Sequence, residues 1–281
     1  MSAAASPSES LQRARGRLRI GLARREEWTV LARLRQEGCL KARMPRPDPG
    51  GWTEVVTMNS SGGIAAGDVL ESAVTLGPGA RASLVTPAAE RVYRALPGSA
   101  PAALATTITV GAGGAVEWLP QETILFDGAL LQRRLSVSLA ADSFFLGAEQ
   151  VIFGRTARGE RVRSGGFTDS VRIVRDGRLV LHDAIRLGGA HGEPIAEVLA
   201  RPAVAAGAAA LATLWFVAAE AAAAAGTLRD ALSGAEAGVS AWDGMLVARI
   251  LAPDGATLRR AVIAGLQALR GQRKLPRVWQ C

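Results

Sequence analysis

Short segments rich in Val, Ile, Thr and Leu follow one another from residue 17 to about residue 200, and turns bearing Gly, Pro or Asp separate them at regular intervals. β-branched residues suit a pleated, half-buried surface, and apolar–polar alternation marks a strand with one face in a core. The segments are 17–22, 28–35, 53–58, 68–76, 80–86, 104–110, 115–119, 130–139, 144–153, 167–175 and 178–182. This spacing predicts a mostly β protein of stacked-sheet, β-helix-like or sandwich-like architecture. Asp176-Gly177 between two such segments predicts a type I′ hairpin, and Gly77-Pro78-Gly79 and Gly113-Gly114 mark further turns.

The C-terminal third changes character and predicts two helices. Residues 203–226 are Ala-rich and read as the first. The stretch 203–225 carries one charge, Glu220, and is long enough to span a bilayer, but its few large apolar residues favour a buried helix of a water-soluble domain. Residues 242–251 read as a strand, with a turn at Pro253-Asp254-Gly255. The second helix runs from 257 to 270, with Leu258, Val262, Leu266 and Leu269 on one stripe. Thr257 is expected to cap its start and Gly271 its end. Residues 1–16 are expected to form a flexible basic tail, and 17–281 one domain, β-rich to 200 and helix-containing from 201.

The net charge of +8 is uneven, because residues 1–46 hold eleven Arg or Lys and four Glu. A basic arm for an acidic partner or nucleic acid is one reading. A tail followed by a strand with one solvated face is the other, and the alternation of Arg17 and Arg19 with Leu18 and Ile20 favours it. Cys39 and Cys281 are far apart and form no CxxC, so neither a zinc knuckle nor a disulfide framework is indicated. Residues 1–15 lack an apolar signal core, which points to the cytoplasm.

Catalytic signatures are scarce. The two His, His182 and His191, stand beside no nucleophile in a triad-like pattern, and there is no HExxH zinc motif. Neither Lys follows a Gly-rich loop, so no Walker A motif exists. Gly111-Ala112-Gly113-Gly114 runs into a strand rather than a helix, which removes the context a dinucleotide loop needs. Carboxylates near turns remain: Asp68 and Glu71 after the loop 61–67, Glu117 and Glu122 around Trp118-Leu119-Pro120-Gln121, and Asp127, Glu149 and Glu160. Such oxygens suit an exchangeable divalent ion, or they cap loops. If strand geometry begins at Asp68, residues 68 and 71 point to opposite faces; in a helical turn they share one. Pro120 fixes its own backbone beside Trp118, so this segment reads as a corner that aims Gln121 and Glu122 at the interior or at a partner. Truncation of Trp118 costs about 3–5 kcal/mol if its ring is fully buried.

Several motifs then carry a resemblance. Leu40-Lys41-Ala42-Arg43-Met44-Pro45 leads into Asn59-Ser60-Ser61-Gly62-Gly63-Ile64-Ala65-Ala66-Gly67-Asp68. Thr86-Pro87-Ala88-Ala89-Glu90-Arg91-Val92-Tyr93-Arg94 follows, then Val116-Glu117-Trp118-Leu119-Pro120-Gln121-Glu122-Thr123-Ile124-Leu125-Phe126-Asp127-Gly128-Ala129. Next come Phe153-Gly154-Arg155-Thr156-Ala157-Arg158-Gly159-Glu160 and, near the end, Pro276-Arg277-Val278-Trp279. In this order, over residues 17–279, they resemble the UreD (UreH) family of urease accessory proteins. Pro87 stands where that family usually has Gln, and Ala66 where Gly is common.

The resemblance implies a non-catalytic maturation factor that binds apo-urease with UreF and the GTPase UreG and assists nickel insertion. It implies no tightly bound cofactor, a transient Ni²⁺ passage through an internal polar tunnel, and neither a nucleic-acid nor a membrane partner. Its fold is mostly β, with stacked sheets in a helix-like arrangement and two late helices. Asp68, Glu71 and Glu149 are the candidates for the nickel path. Gly62, Gly63, Gly67, Glu117, Trp118, Leu119, Pro120, Gln121, Glu122, Asp127, Gly154, Arg155 and Glu160 are the motif residues. Two rival classes stay open on the residues alone: a β-rich hydrolase using loop carboxylates, and a module binding nucleic acid through the basic N-terminal region.

Overall fold

The computed structural model describes residues 12–45, 52–188 and 192–280. The chain opens with β1 (Arg15–Arg25), β2 (Trp28–Gly38), β3 (Leu40–Arg43), β4 (Thr53–Asn59), β5 (Val69–Leu76) and β6 (Arg81–Val85). It continues through β7 (Glu90–Val92), β8 (Ala102–Val110), β9 (Ala115–Leu119), β10 (Thr123–Leu125), β11 (Leu130–Leu139) and β12 (Phe144–Phe153). Then come β13 (Gly166–Arg175), β14 (Arg178–Gly188), α1 (Ile195–Ala200), β15 (Ala210–Val217), α2 (Ala221–Ala231), β16 (Glu236–Trp242), β17 (Met245–Ala252) and α3 (Gly255–Arg270). β1 therefore starts inside the expected tail, and residues 1–11 of that tail lie outside the described residues.

The strands form two stacked sheets, which confirms the mostly β, β-helix-like reading. The first has the order β14-β13-β11-β8-β5-β1-β2, and the main path of the second is β16-β17-β15-β12-β9-β6-β4-β3. From β4 to β13, leaving aside β7 and β10, successive strands alternate between sheets. β5, β8, β11 and β13 are parallel neighbours in the first; β4, β6, β9 and β12 are parallel neighbours in the second. The middle of the chain thus winds as coils that give one strand to each sheet. β7 and β10 sit between coils and pair with each other, β10 also with β12. At Asp176-Gly177 both residues have positive φ, 50° and 73°, as a type I′ turn requires.

Two apolar cores follow from this layering. Leu18, Ile20, Val74, Ile108, Leu135, Phe145, Val151 and Phe167 belong to the core between the sheets. Leu146, Ala148, Leu214, Phe216, Leu246 and Ile250 meet Leu228 of α2 and Leu258, Val262 and Leu266 of α3 in a core on the other side of the second sheet. β12 and β15 are covered on both faces, so nearly all their residues are buried.

That double burial corrects the expected helix over 203–226. Its middle is β15, and α2 begins only at Ala221. A strand between two layers shows no alternation, and a buried helix shows none either, so periodicity could not separate them. The residues before β15 form turns. No helix among the described residues is long and apolar enough to cross a membrane. The single expected strand 242–251 is a hairpin, β16 and β17. α3 starts two residues before its expected start, and its cap is Asp254, whose side chain accepts from the Thr257 amide at 2.7 Å; Gly271 closes the helix as expected.

A cavity lane between the sheets

β11, β12 and β13 each place one charged residue in a lane of apolar side chains. On β11, Arg133 falls in the series Leu131, Leu135, Val137; on β13, Asp169 falls between Phe167 and Val171; on β12, Glu149 precedes Val151. All three point between the sheets. β11 and β13 hold Arg133 directly beside Asp169 in register. The Arg133 guanidinium donates from Nε and Nη2 to the two Asp169 oxygens at 3.0 and 2.6 Å, and from Nη1 to Thr123 Oγ1 at 3.1 Å. Nη2 also stands 2.7 Å from Glu149 Oε2, but that oxygen receives no directed hydrogen bond. The Trp118 indole N–H donates to Glu149 Oε1 at 3.0 Å.

One cation therefore faces two carboxyls. Burial opposes the charge on Arg133, and Asp169 and Glu149 outweigh that opposition, so the guanidinium stays ionised. Burial pushes the Glu149 carboxyl up to about 7; Arg133 pulls it back, and Asp169 adds to the rise. With both carboxyls ionised the trio has one negative charge in excess, which a proton or another cation can neutralise.

Two cavities meet at this trio. The larger, about 250 Å³, is bounded by Asn59, Glu90, Trp118, Gln121, Thr123, Arg133 and Glu149 among others. The smaller, about 20 Å³, continues past Arg133, Glu149 and Asp169 to Asp183 and Thr213. Arg133 and Glu149 form the wall common to both. Asp183 at the far end pairs with Arg249 at 2.5 Å.

Glu90 enters the larger cavity from β7. Burial pushes its carboxyl up to about 7, against the Asn59 amide and Arg91. A folded-state pKa above the unfolded value means that stability is greatest below about 4.5 and declines as pH rises through about 7. Glu90→Gln is therefore expected to raise stability by about 1–2 kcal/mol at pH 8 and to leave it unchanged at pH 4. Denaturant unfolding at the two pH values checks this; equal effects at both would show that Glu90 is solvated.

The residues singled out in the sequence are distributed differently. Asp68 and Glu71 are not brought together. Asp68 precedes β5, is buried, and accepts from the Ala14 and Ala65 amides at 2.7 and 2.8 Å, so it ties the loop to the start of β1. Glu71 lies within β5 on the outer face and pairs with Arg17 at 2.9 Å. Strand geometry begins at Val69, which separates the two carboxylates. Of the three path candidates, Glu149 alone lines the cavities. Among the described residues no group of three or more His, Cys, Asp and Glu is placed to hold a metal ion. His182 is exposed on β14, Cys39 is a half-buried free thiol, and His191 and Cys281 lie outside the described residues.

Most motif residues build loops. A Cβ on Gly63 would lie 2.5 Å from the Tyr93 ring, whose hydroxyl donates to the Gly62 carbonyl at 2.7 Å. Gly67 takes a positive φ of 87° in the same loop. Gly154 has φ 91°, and a Cβ there would meet the Glu160 carbonyl at 2.4 Å. Arg155 grips Glu160 through Nε and Nη2 at 2.8 and 2.7 Å and stacks 4.3 Å over the Phe126 ring. Asp127 accepts from the Arg163 and Ser164 amides and pairs with Arg94.

The segment 117–122 binds the C-terminal end of the chain. Glu117 is fully buried toward the helix layer and receives Arg270, Arg273 and Ser83. Trp279 Nε1 donates to the Leu119 carbonyl at 3.0 Å. Beyond Pro120, the Gln121 side chain donates to the Val278 carbonyl and accepts from Arg259, and Glu122 stands 4.0 Å from Arg259. Trp118 is only partly buried because it borders the cavity, so the cost expected for a fully buried ring does not apply.

Sequence reasoning passed over Glu90, Arg133, Asp169, Asp183 and Thr213. For Arg133 and Asp169 a signal was present, a charged residue at an inward position of an alternating strand.

Comparison with known proteins agrees with these motifs. Residues 14–280 match the family model described as UreD urease accessory protein. The chain is 46% identical over 270 residues to the urease accessory protein UreD of Azorhizobium caulinodans, covering 95% of this chain and 97% of that one. It is 45% identical to UreD of Xanthobacter autotrophicus, covering 95% and 90%, and 42% identical to UreD of Dinoroseobacter shibae, covering 97% and 94%. A family-model match over residues 14–280, with 46% identity to a UreD across nearly the whole length of both chains, means that the chain belongs to the UreD family of urease accessory proteins.

Proposed function

We propose that this chain is a non-catalytic scaffold of urease maturation in the cytoplasm. It binds apo-urease together with UreF, the GTPase UreG supplies nucleotide hydrolysis, and Ni²⁺ passes toward the urease active site along the cavities between the sheets. The observation that carries the reading is the buried Arg133–Glu149–Asp169 trio between the sheets, of which Arg133 and Glu149 form the wall common to the two cavities. A charge buried in such a core is costly unless paired, and this arrangement leaves one carboxylate in excess. An ion in transit needs weak oxygen ligands met in series, because a closed cage of soft donors would hold it. Glu90, Glu149 and Asp183 offer such oxygens one after another, and Arg133 limits how strongly any cation is held beside Glu149.

The test uses Glu149→Gln in cells that also express the urease subunits, UreF and UreG. The neutral amide keeps the shape and an acceptor for Trp118 but removes the charge. Assembly on size exclusion is expected to be unchanged, while urease activity and urease nickel content fall in parallel, by tenfold or more. An assembled Glu149→Gln complex that delivers urease with wild-type nickel content would overturn the reading.

A further inference from the structure

The two sheets are covered unequally. α2 and α3 pack on the second sheet, against β12, β15, β16 and β17. Among the described residues, no helix packs closely on β1, β5, β8, β11 or β13 of the first sheet. Parallel strands are usually covered on both faces, so an open parallel face invites a partner.

Side chains on this face fall into lanes set by the register. One lane reads Arg15, Val69, Ala103, Gln132, Thr168, Arg186 across the sheet; another reads Arg19, Ala73, Thr107, Ser136, Arg172. Between them Arg134 follows Ala105. The centre is thus made mostly of small Ala, Ser and Thr side chains, exposed at Ala103, Ala105 and Thr107 and half-buried at Ala73 and Ser136, with no aromatic ring in these lanes. Its flanks are two banks of guanidinium groups, Arg15, Arg19 and Arg33 on one side and Arg134, Arg172 and Arg186 on the other. At about 4.8 Å per strand, β1 and β11 are about 14 Å apart. All six are exposed, and none pairs with a carboxylate among the described residues. The face's Glu71 and Glu37 are already paired, with Arg17 and Arg35.

We infer that this face is a docking platform for a carboxylate-rich, flat protein surface. Small side chains in the middle let two backbones approach closely, and the unpaired guanidinium banks supply steering and bidentate bonds to carboxylates. Arg is also the charged residue enriched at protein interfaces. A nucleic acid would draw on the same charge, but the exposed Trp28 ring lies at the start of β2 opposite Arg25, away from the lanes between the two banks, and those lanes give bases no ring to stack on. The inference rests on the reading of the chain as part of a maturation assembly and adds which face is engaged and by what chemistry.

The test is retention of apo-urease and of UreF, each separately, by the tagged full-length chain co-expressed with it. Wild type is expected to retain both. Arg134→Glu with Arg172→Glu should lower retention of at least one partner tenfold or more, and Arg134→Lys with Arg172→Lys should restore most of it. Raising KCl from 0.05 to 0.5 M should weaken the same partner in the wild type. Thr107→Trp, a bulky residue placed between the banks, should also release that partner without adding charge. Unchanged retention of both partners by the Glu variant and by Thr107→Trp overturns the inference while leaving the nickel-path reading intact. Failure of wild type to retain either partner overturns the maturation reading itself. A labelled 20-base-pair DNA duplex is the remaining arm: duplex binding that the Glu variant abolishes, with both protein partners kept, overturns the inference in favour of a nucleic acid.

Discussion

Glu117→Ala is expected to destabilise the chain by about 3–5 kcal/mol, with a fall in Tm on the order of 10 °C. Glu117 on β9 has no exposure to solvent. Its oxygens accept from Arg270 Nε at 2.9 Å, from Arg270 Nη2 at 3.1 Å and from Ser83 Oγ at 2.5 Å, and Arg273 Nη1 lies 2.7 Å away. Arg270 is the last residue of α3 and is itself buried; the Arg273 and Lys274 carbonyls are its further acceptors. Removing the carboxylate leaves a buried guanidinium without its counter-charge, and such a group costs more than the pair itself was worth. The loss should be felt where α3 and the C-terminal segment join the second sheet, because Trp279 and Val278 hang on the residues that follow Glu117. Denaturant unfolding of the variant checks the total, and hydrogen exchange of α3 checks the place. A Tm within 1–2 °C of wild type would mean that the cluster contributes nothing net.

Arg133→Met is expected to be equally damaging, but only at high pH. It leaves Glu149 and Asp169 facing each other in the lane with no cation between them. The folded-state pKa of Glu149, already raised by burial, then rises further above its unfolded value, since the pull of the guanidinium is gone while burial remains. Stability contributed by a group with a raised pKa is present at low pH and lost as pH climbs through that value. The variant should therefore approach wild-type stability near pH 5 and lose about 3–5 kcal/mol by pH 8. Under the proposed function it should also hold nickel in the chain, because two unopposed carboxylates bind a divalent ion more tightly, and nickel in co-expressed urease should drop. An equal loss of stability at pH 5 and pH 8 would show that Arg133 acts through packing rather than charge.

Part of this molecule was legible in the residues alone. Alternation of apolar and polar positions gave most of the strands, and Asp176-Gly177 gave a turn with the backbone angles it was expected to have. These are local properties: a side chain's face follows from a period of two, and a turn follows from which residues tolerate positive φ. The motifs that resemble UreD were also readable, but their meaning was not. Gly154, Arg155, Asp127 and Glu160 build loops, and Glu117 anchors a helix end 153 residues away. Identity in a family attaches to such residues without saying whether they bind, brace or cap.

Two matters were decided only by the tertiary structure. Residues 210–217 became a strand because they lie between a sheet and a helix layer, and burial on both sides erases the periodicity that distinguishes strand from helix. The candidate lane depends on neighbours remote in sequence. Asp68 and Glu71 are three residues apart, yet the start of β5 turns one to the Ala14 and Ala65 amides and the other to Arg17. Arg133 and Asp169 are 36 residues apart, yet the coil of parallel strands sets them side by side and brings Glu149 across from the facing sheet. Spacing along the chain determines the direction of a side chain; the length of each coil determines which side chains meet, and that length is settled by the packing of the two sheets.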